Sequence, residues 1–217
     1  MKFVQPPRPQ YFFVLCCLIV LLVLPSALQA SVGSSRTLSV VGLIVPVLAV
    51  AAASDTRRHR RTAIGLAAVC ALANAEGLAH FTALPHGVGA AAALVFLAYT
   101  TYLLLSGVLR SRRVTADVIA GALASYLMIG LTWALAYGLV EMMAPGSIGV
   151  ASGARVDLHT LVYYSYITLM TIGYGDVTPV TAAARTLAVF EGLIGVAFTT
   201  IVLAALVAML LGEKREE

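Results

Sequence analysis

Charge is what this chain has least of. Asp, Glu, Lys and Arg make up 11% of its 217 residues against 60% for the apolar types, and mean hydropathy is +0.95. A soluble domain cannot hide that much apolar surface, so the composition excludes one and points to a membrane protein. The net charge of +4 falls in short clusters, which excludes a basic nucleic-acid-binding face. Cysteine is scarce too. Cys16, Cys17 and Cys70 lie inside apolar runs without metal-ligand spacing. They read as packing thiols rather than a disulfide framework or a metal centre. The sequence shows no His/Ser/Asp grouping, metal motif or Walker loop, so an enzyme is not expected, nor a cofactor.

Long apolar runs are abundant instead. A hydrocarbon core about 30 Å thick needs roughly 20 helical residues. Runs of that order cover residues 11–30, 38–53, 62–80, 87–109, 116–142 and 182–211. The second is short and must tilt little or draw on its flanks. An all-α membrane protein with six transmembrane helices is predicted. Basic clusters at 57–61 (RRHRR) and 110–113 (RSRR) join Lys2 and Arg8 before the first run, and Lys214 and Arg215 after the last. Six spans with both termini cytoplasmic put all of these inside. Residues 1–30 also resemble a signal peptide, with a basic start, an apolar core and PSALQA before Ser31. A retained helix is the favoured reading; cleavage would leave five spans oriented identically.

Between the fifth and sixth runs, residues 144–180 break the pattern. APGSIGVASGARV is a Gly/Ser-rich loop without periodicity. DLHTLVYYSYITLM follows, with Asp157 placed as a helix N-cap. A helix of about 13 residues reaches about 20 Å, too short to cross. It is predicted to enter from outside and stop partway. It leads into TIGYGD. Non-helical backbone at membrane depth must be buried in protein or line water. Gly173 and Gly175 can take φ > 0 at little cost. Alternating with Ile172 and Tyr174, they can turn successive carbonyls to one side. Four such strands around an axis stack oxygen cages that replace a cation's water shell, and the Thr171 hydroxyl can add a lower ring. Carbonyl oxygens are hard, neutral ligands suited to a desolvated alkali cation. The short helix aims its negative C-terminal end toward the ion's path.

In this setting TIGYGD resembles the signature of potassium channels, whose pore carries TVGYG on each of four subunits. The resemblance covers about residues 114–211: outer helix, pore helix, filter and inner helix. It implies that Thr171, Ile172, Gly173, Tyr174 and Gly175 form a filter for K+, with Asp176 at its outer mouth. Two departures stand out. Met170 occupies a position where threonine is frequent, which makes the top of the cavity more apolar. Ile167 stands where some relatives carry a glutamate behind the filter, so support must come from elsewhere. Tyr163 and Tyr164 are candidates as an aromatic cuff, with interface anchoring as the alternative.

The last run contains Gly192 and Gly195. Similar channels place a gating hinge where Gly195 stands, 20 residues beyond Gly175; Gly192 is assigned to close packing. With Gly195 as guide, Thr199, Leu203 and Val207 share a face that lines the cavity below Met170. A hydroxyl bonded to its own helix is the alternative for Thr199. Glu191 is an acid inside an apolar run, a functional hypothesis by default, and it is expected to tie helices together in support of the filter.

Residues 114–217 thus form a predicted pore domain, and residues 1–113 a four-helix domain. A six-span plan with the pore last looks like the voltage-gated cation channels. Run 87–109, however, holds no Arg or Lys, and Arg110, Arg112 and Arg113 come only at its cytoplasmic end. Each charge moved across a membrane is worth about 2.3 kcal/mol per 100 mV. Residues 1–113 are therefore predicted to be a degenerate voltage-sensor-like bundle with little intrinsic voltage sensing. Asn74 and Glu76 can bond across it, and His80 and His86 read as interfacial. The expected function is passive, potassium-selective conduction by a homotetramer in the cell membrane, because one filter strand cannot close a cage. A weakly selective cation channel and a non-conducting regulatory subunit are the alternatives.

Overall fold

The computed structural model describes residues 10–28, 65, 86–111 and 113–216. The expected spans 38–53 and 62–80, the basic cluster 57–61, and Cys70, Asn74, Glu76 and His80 lie outside the described residues. The described elements run α1 (Gln10–Leu28), α2 (His86–Leu109), α3 (Ala116–Met143), β1 (Ile148–Val150), α4 (Leu158–Leu169), β2 (Val177–Pro179) and α5 (Ala182–Glu216). Among the described residues, three stretches are long and apolar enough to cross a bilayer: Gly89–Leu109, Ala116–Met143 and Ala182–Val202. Gln10–Val23 is a shorter apolar stretch. The chain is a mostly helical membrane protein.

One feature departs from an all-α fold. The 144–157 loop supplies β1, which pairs antiparallel with β2, Ile148 opposite Pro179 and Val150 opposite Val177. Three residues are too few to show a period of two, so the strand leaves no pattern in the sequence.

Helix starts follow their capping chemistry. The Thr115 hydroxyl accepts from the Val118 N–H at 3.3 Å, and Asp117 sits in the positive first turn of α3. Asp117 also accepts from the Phe12 N–H at 2.9 Å, so one carboxylate serves the first turns of both α1 and α3. Pro145 lies just past the end of α3, where its ring stops the helix.

α2 packs along α3. Thr101 and Thr132 meet at 3.3 Å, and a Cβ on Gly121 would press on Val108 and the Tyr11 ring. Ala120, Gly121, Ala122, Ala124 and Ser125 are buried along α3. Such small residues let helices approach where lipid supplies no hydrophobic drive. Hydroxyls return to the preceding turn, as Thr100 to the Phe96 carbonyl and Ser125 to the Gly121 carbonyl, both at 2.8 Å.

α3 is the shared wall of two apolar clusters. Val14 and Leu18 of α1 and Phe96 and Leu104 of α2 pack with its Ala124 and Met128. Ala134 and Tyr137, further along α3, pack with Leu161, Tyr164 and Ile167 of α4 and Ala184 of α5. α5 is different. Only 17% of Ala182–Val202 is buried within one copy, against 56% of Ala116–Met143. Val189, Phe190, Leu193, Val196 and Ile201 are all exposed.

Candidate functional site

The site begins at the cap of α4. Asp157 Oδ1 accepts from the Thr160 N–H at 2.8 Å and from its hydroxyl at 2.7 Å. Partial burial pushes this carboxyl up. The Thr160 bonds and the neighbouring His159 outweigh burial and hold it below the usual carboxylate range. The helix has 12 residues, about 18 Å. The chain then folds back onto the helix end. The Ile167 carbonyl accepts from the Ile172 N–H at 2.8 Å and from the Gly173 N–H at 3.2 Å, and the Thr171 N–H donates to the Thr168 carbonyl at 2.9 Å.

The filter segment alternates in hand. Thr171, Gly173 and Gly175 have φ of +58°, +57° and +81°, while the intervening Ile172 and Tyr174 stay on the negative side. In an ordinary strand successive carbonyls point opposite ways. Alternating positive and negative φ can cancel that reversal and turn the carbonyls toward one side. Glycine takes the left-handed region freely. Thr171 is β-branched, and a left-handed residue with a Cβ costs about 1–2 kcal/mol. The sequence pointed to positive φ only at the glycines; nothing in a threonine signals it. Residues 171–176 are exposed in the single copy, Tyr174 by 71%.

Asp176, the expected outer mouth, is held on two sides. The Tyr163 hydroxyl donates to Asp176 Oδ2 at 2.8 Å, and the Ala151 N–H donates to the Asp176 carbonyl at 2.8 Å. The β1–β2 pair holds the loop there, and the Val180 N–H donates to the Ser147 carbonyl at 2.8 Å. Glu141 at the end of α3 accepts from the Gly146 and Ile148 N–H groups at 2.7 and 2.9 Å. Glu141 and Ser147 were not singled out from the sequence. Their partners lie across a loop with no periodic pattern.

The two candidate tyrosines separate. Tyr163 bonds the mouth, whereas Tyr164 is buried and meets the Tyr137 ring edge-on at 4.8 Å. Glu191 is fully buried. It accepts from the Tyr137 hydroxyl at 2.6 Å and from the Ser165 hydroxyl, so it links α3, α4 and α5. Gly195 sits against the end of α4, and a Cβ there would overlap the Leu169 carbonyl oxygen. Gly192, assigned to packing from the sequence, has open space around it in the single copy. Met170 is 45% exposed just below the filter. The Thr199 hydroxyl bonds the Gly195 and Val196 carbonyls of its own helix at 3.2 and 3.0 Å. Leu203 and Val207 follow on α5, and Val207 is exposed.

Chemically, the segment offers a short series of neutral oxygens at the C-terminal end of a half-length helix, with a carboxylate just beyond. That suits a partly desolvated monovalent cation in transit.

Known proteins bear on this geometry. Residues 125–211 match the model of a family described as an ion channel. The chain is also similar to a protein of Oryza sativa subsp. japonica named two pore potassium channel c, 35% identical over 89 residues. That alignment covers 41% of this chain and 18% of the rice protein, so the chain spans under a fifth of that relative's length. No solved structure matches the chain.

Proposed function

We propose that residues 125–211, which match the model of an ion-channel family and are similar to part of a potassium channel, form an ion-channel domain, and that the chain conducts potassium passively and selectively through a homotetrameric pore. The carbonyls of residues 171–174, with the Thr171 hydroxyl, replace the ion's water. Gly175 and Asp176 shape the exit. Met170, Thr199, Leu203 and Val207 line the cavity below, and α5 bends about Gly195, where it abuts α4. The observation that carries this reading is the alternation of φ at Thr171, Gly173 and Gly175.

Four copies are needed to surround an ion with such columns. The exposed apolar residues of α5, together with its 17% burial, supply a surface for neighbouring copies. The bilayer orientation proposed has both termini and the 110–113 cluster cytoplasmic, in the cell membrane. α2 carries no Arg or Lys between His86 and Leu109, and on this basis intrinsic voltage sensing is weak.

Flux into liposomes holding only the purified protein tests the proposal. Potassium entry without sodium entry supports it. Entry of both ions points to a weakly selective channel, and entry of neither to a regulatory subunit.

A further inference from the structure

Little chain lies between α2 and α3. α2 ends at Leu109 and α3 starts at Ala116. The first residues between them continue the last turn: the Arg110 N–H donates to the Ser106 carbonyl and the Ser111 N–H to the Val108 carbonyl, both at 3.1 Å. Thr115 already caps α3. From Ser111 to Thr115 the chain reaches about 14 Å at full extension, little more than one helix diameter of about 10 Å. In a ring of four copies with α5 inside and α3 outside, neighbouring α3 helices stand more than two such diameters apart. The reach favours the α3 that follows α2 in the same chain.

The corner between the two helices is also filled. A Cβ on Gly107 of α2 would overlap the Tyr11 hydroxyl, and one on Gly121 of α3 would come within 3.0 Å of the Tyr11 ring. Tyr11 of α1 thus lies across two glycines, one on each side of the corner. The next residue, Phe12, donates its N–H to Asp117 at 2.9 Å. Val108, at the end of α2, is buried with Val118 and Ala122 of α3 and Val202 of α5. Farther along, the Thr101 and Thr132 hydroxyls meet.

We infer, resting on the homotetramer proposed above, that α1 and α2 dock on the α3 of their own chain and not on that of the neighbouring copy. Tyr11 wedges the corner shut, and each copy carries these two helices beside its own pore segment. A force on α1 or α2 is delivered first to the α3 of the same copy.

Cross-linking in the full chain tests this. The Thr101 and Thr132 hydroxyl oxygens stand 3.3 Å apart, so sulfurs in their place come within reach of a disulfide. The chain carries Thr101→Cys and Thr132→Cys with Cys16→Ala, Cys17→Ala and Cys70→Ala, and is oxidised in membranes with copper phenanthroline and air. The expected product runs as one copy on a denaturing gel, has lost both free thiols, and regains them on reduction. A ladder of linked dimers to tetramers, or chains whose thiols both survive, overturns the inference. If that variant does not assemble, differently tagged chains bearing only Thr101→Cys or only Thr132→Cys are expressed together. A linked heterodimer that neither forms with the wild type overturns the inference, and its absence supports it. Size-exclusion chromatography with light scattering on the wild type separates the two readings. A single copy refutes the tetramer itself, whereas a tetramer that yields the interchain ladder refutes this inference alone.

Discussion

The Tyr163 hydroxyl donates to the Asp176 carboxylate across 2.8 Å, joining α4 to the loop 13 residues later. The carbonyl of the same aspartate accepts from Ala151 in the outer loop. Asp176 is therefore held from two sides, by a side chain and by backbone. Tyr163 is 39% exposed, so water competes for this bond. On the proposed function, Tyr163→Phe should shorten sustained potassium current several-fold. The measurement is macroscopic current decay in bilayers. An unchanged decay would mean the bond does not steady the mouth.

Gly195→Ala should destabilise the assembled protein by about 1–3 kcal/mol, because the added methyl meets the rigid Leu169 carbonyl. Gly192→Ala has open space within one copy and should cost far less. Thermal melts of the detergent-solubilised protein compare the two. Equal losses would show that neighbouring copies, not α4, set the requirement for glycine.

Asp157→Ala removes the N-cap of the pore helix and should cost about 1 kcal/mol. The carboxyl is held below its usual range in the folded protein. Its contribution is thus complete above the ordinary carboxylate pKa of about 4 and is lost as pH falls through the lower folded value. The gap in melting temperature between wild type and Asp157→Ala should be constant from pH 7 to pH 5 and should narrow below about pH 4. A gap that persists in full at low pH would remove the charge from the account.

Gly173→Ala places a Cβ on a residue with φ of +57°. The left-handed region then costs about 1–2 kcal/mol, and the chain can escape by turning the peptide over. Discrimination between potassium and sodium should be lost while assembly persists, as read by paired flux assays and size-exclusion chromatography. An unchanged potassium-to-sodium ratio would refute the role given to Gly173.

Much of the helical frame could be read from the chain. Asp157 announced the cap, the spacing to TIGYGD set a helix too short to span, and apolar runs marked α3 and α5. Each of these signals is local. What escaped depends on distant partners. Glu191 and Tyr137 are 54 residues apart, and no pattern along the chain pairs them. Gly192 and Gly195 of α5 look alike in sequence. Which one is crowded depends on where α4 ends. The positive φ of Thr171 runs against its own preference and is set by the bonds that fold the filter onto Ile167. The strand Ile148–Val150 hides in a glycine-rich loop because its partner lies beyond the filter.

The most direct test is to locate the ion. A structure of the purified protein in thallium, used as an anomalous stand-in for potassium, should show stacked cation density on a fourfold axis, ringed by the carbonyl oxygens of residues 171–174 from four copies. Copies that do not gather about an axis, or oxygens that face away from it with no ion between them, would contradict the account.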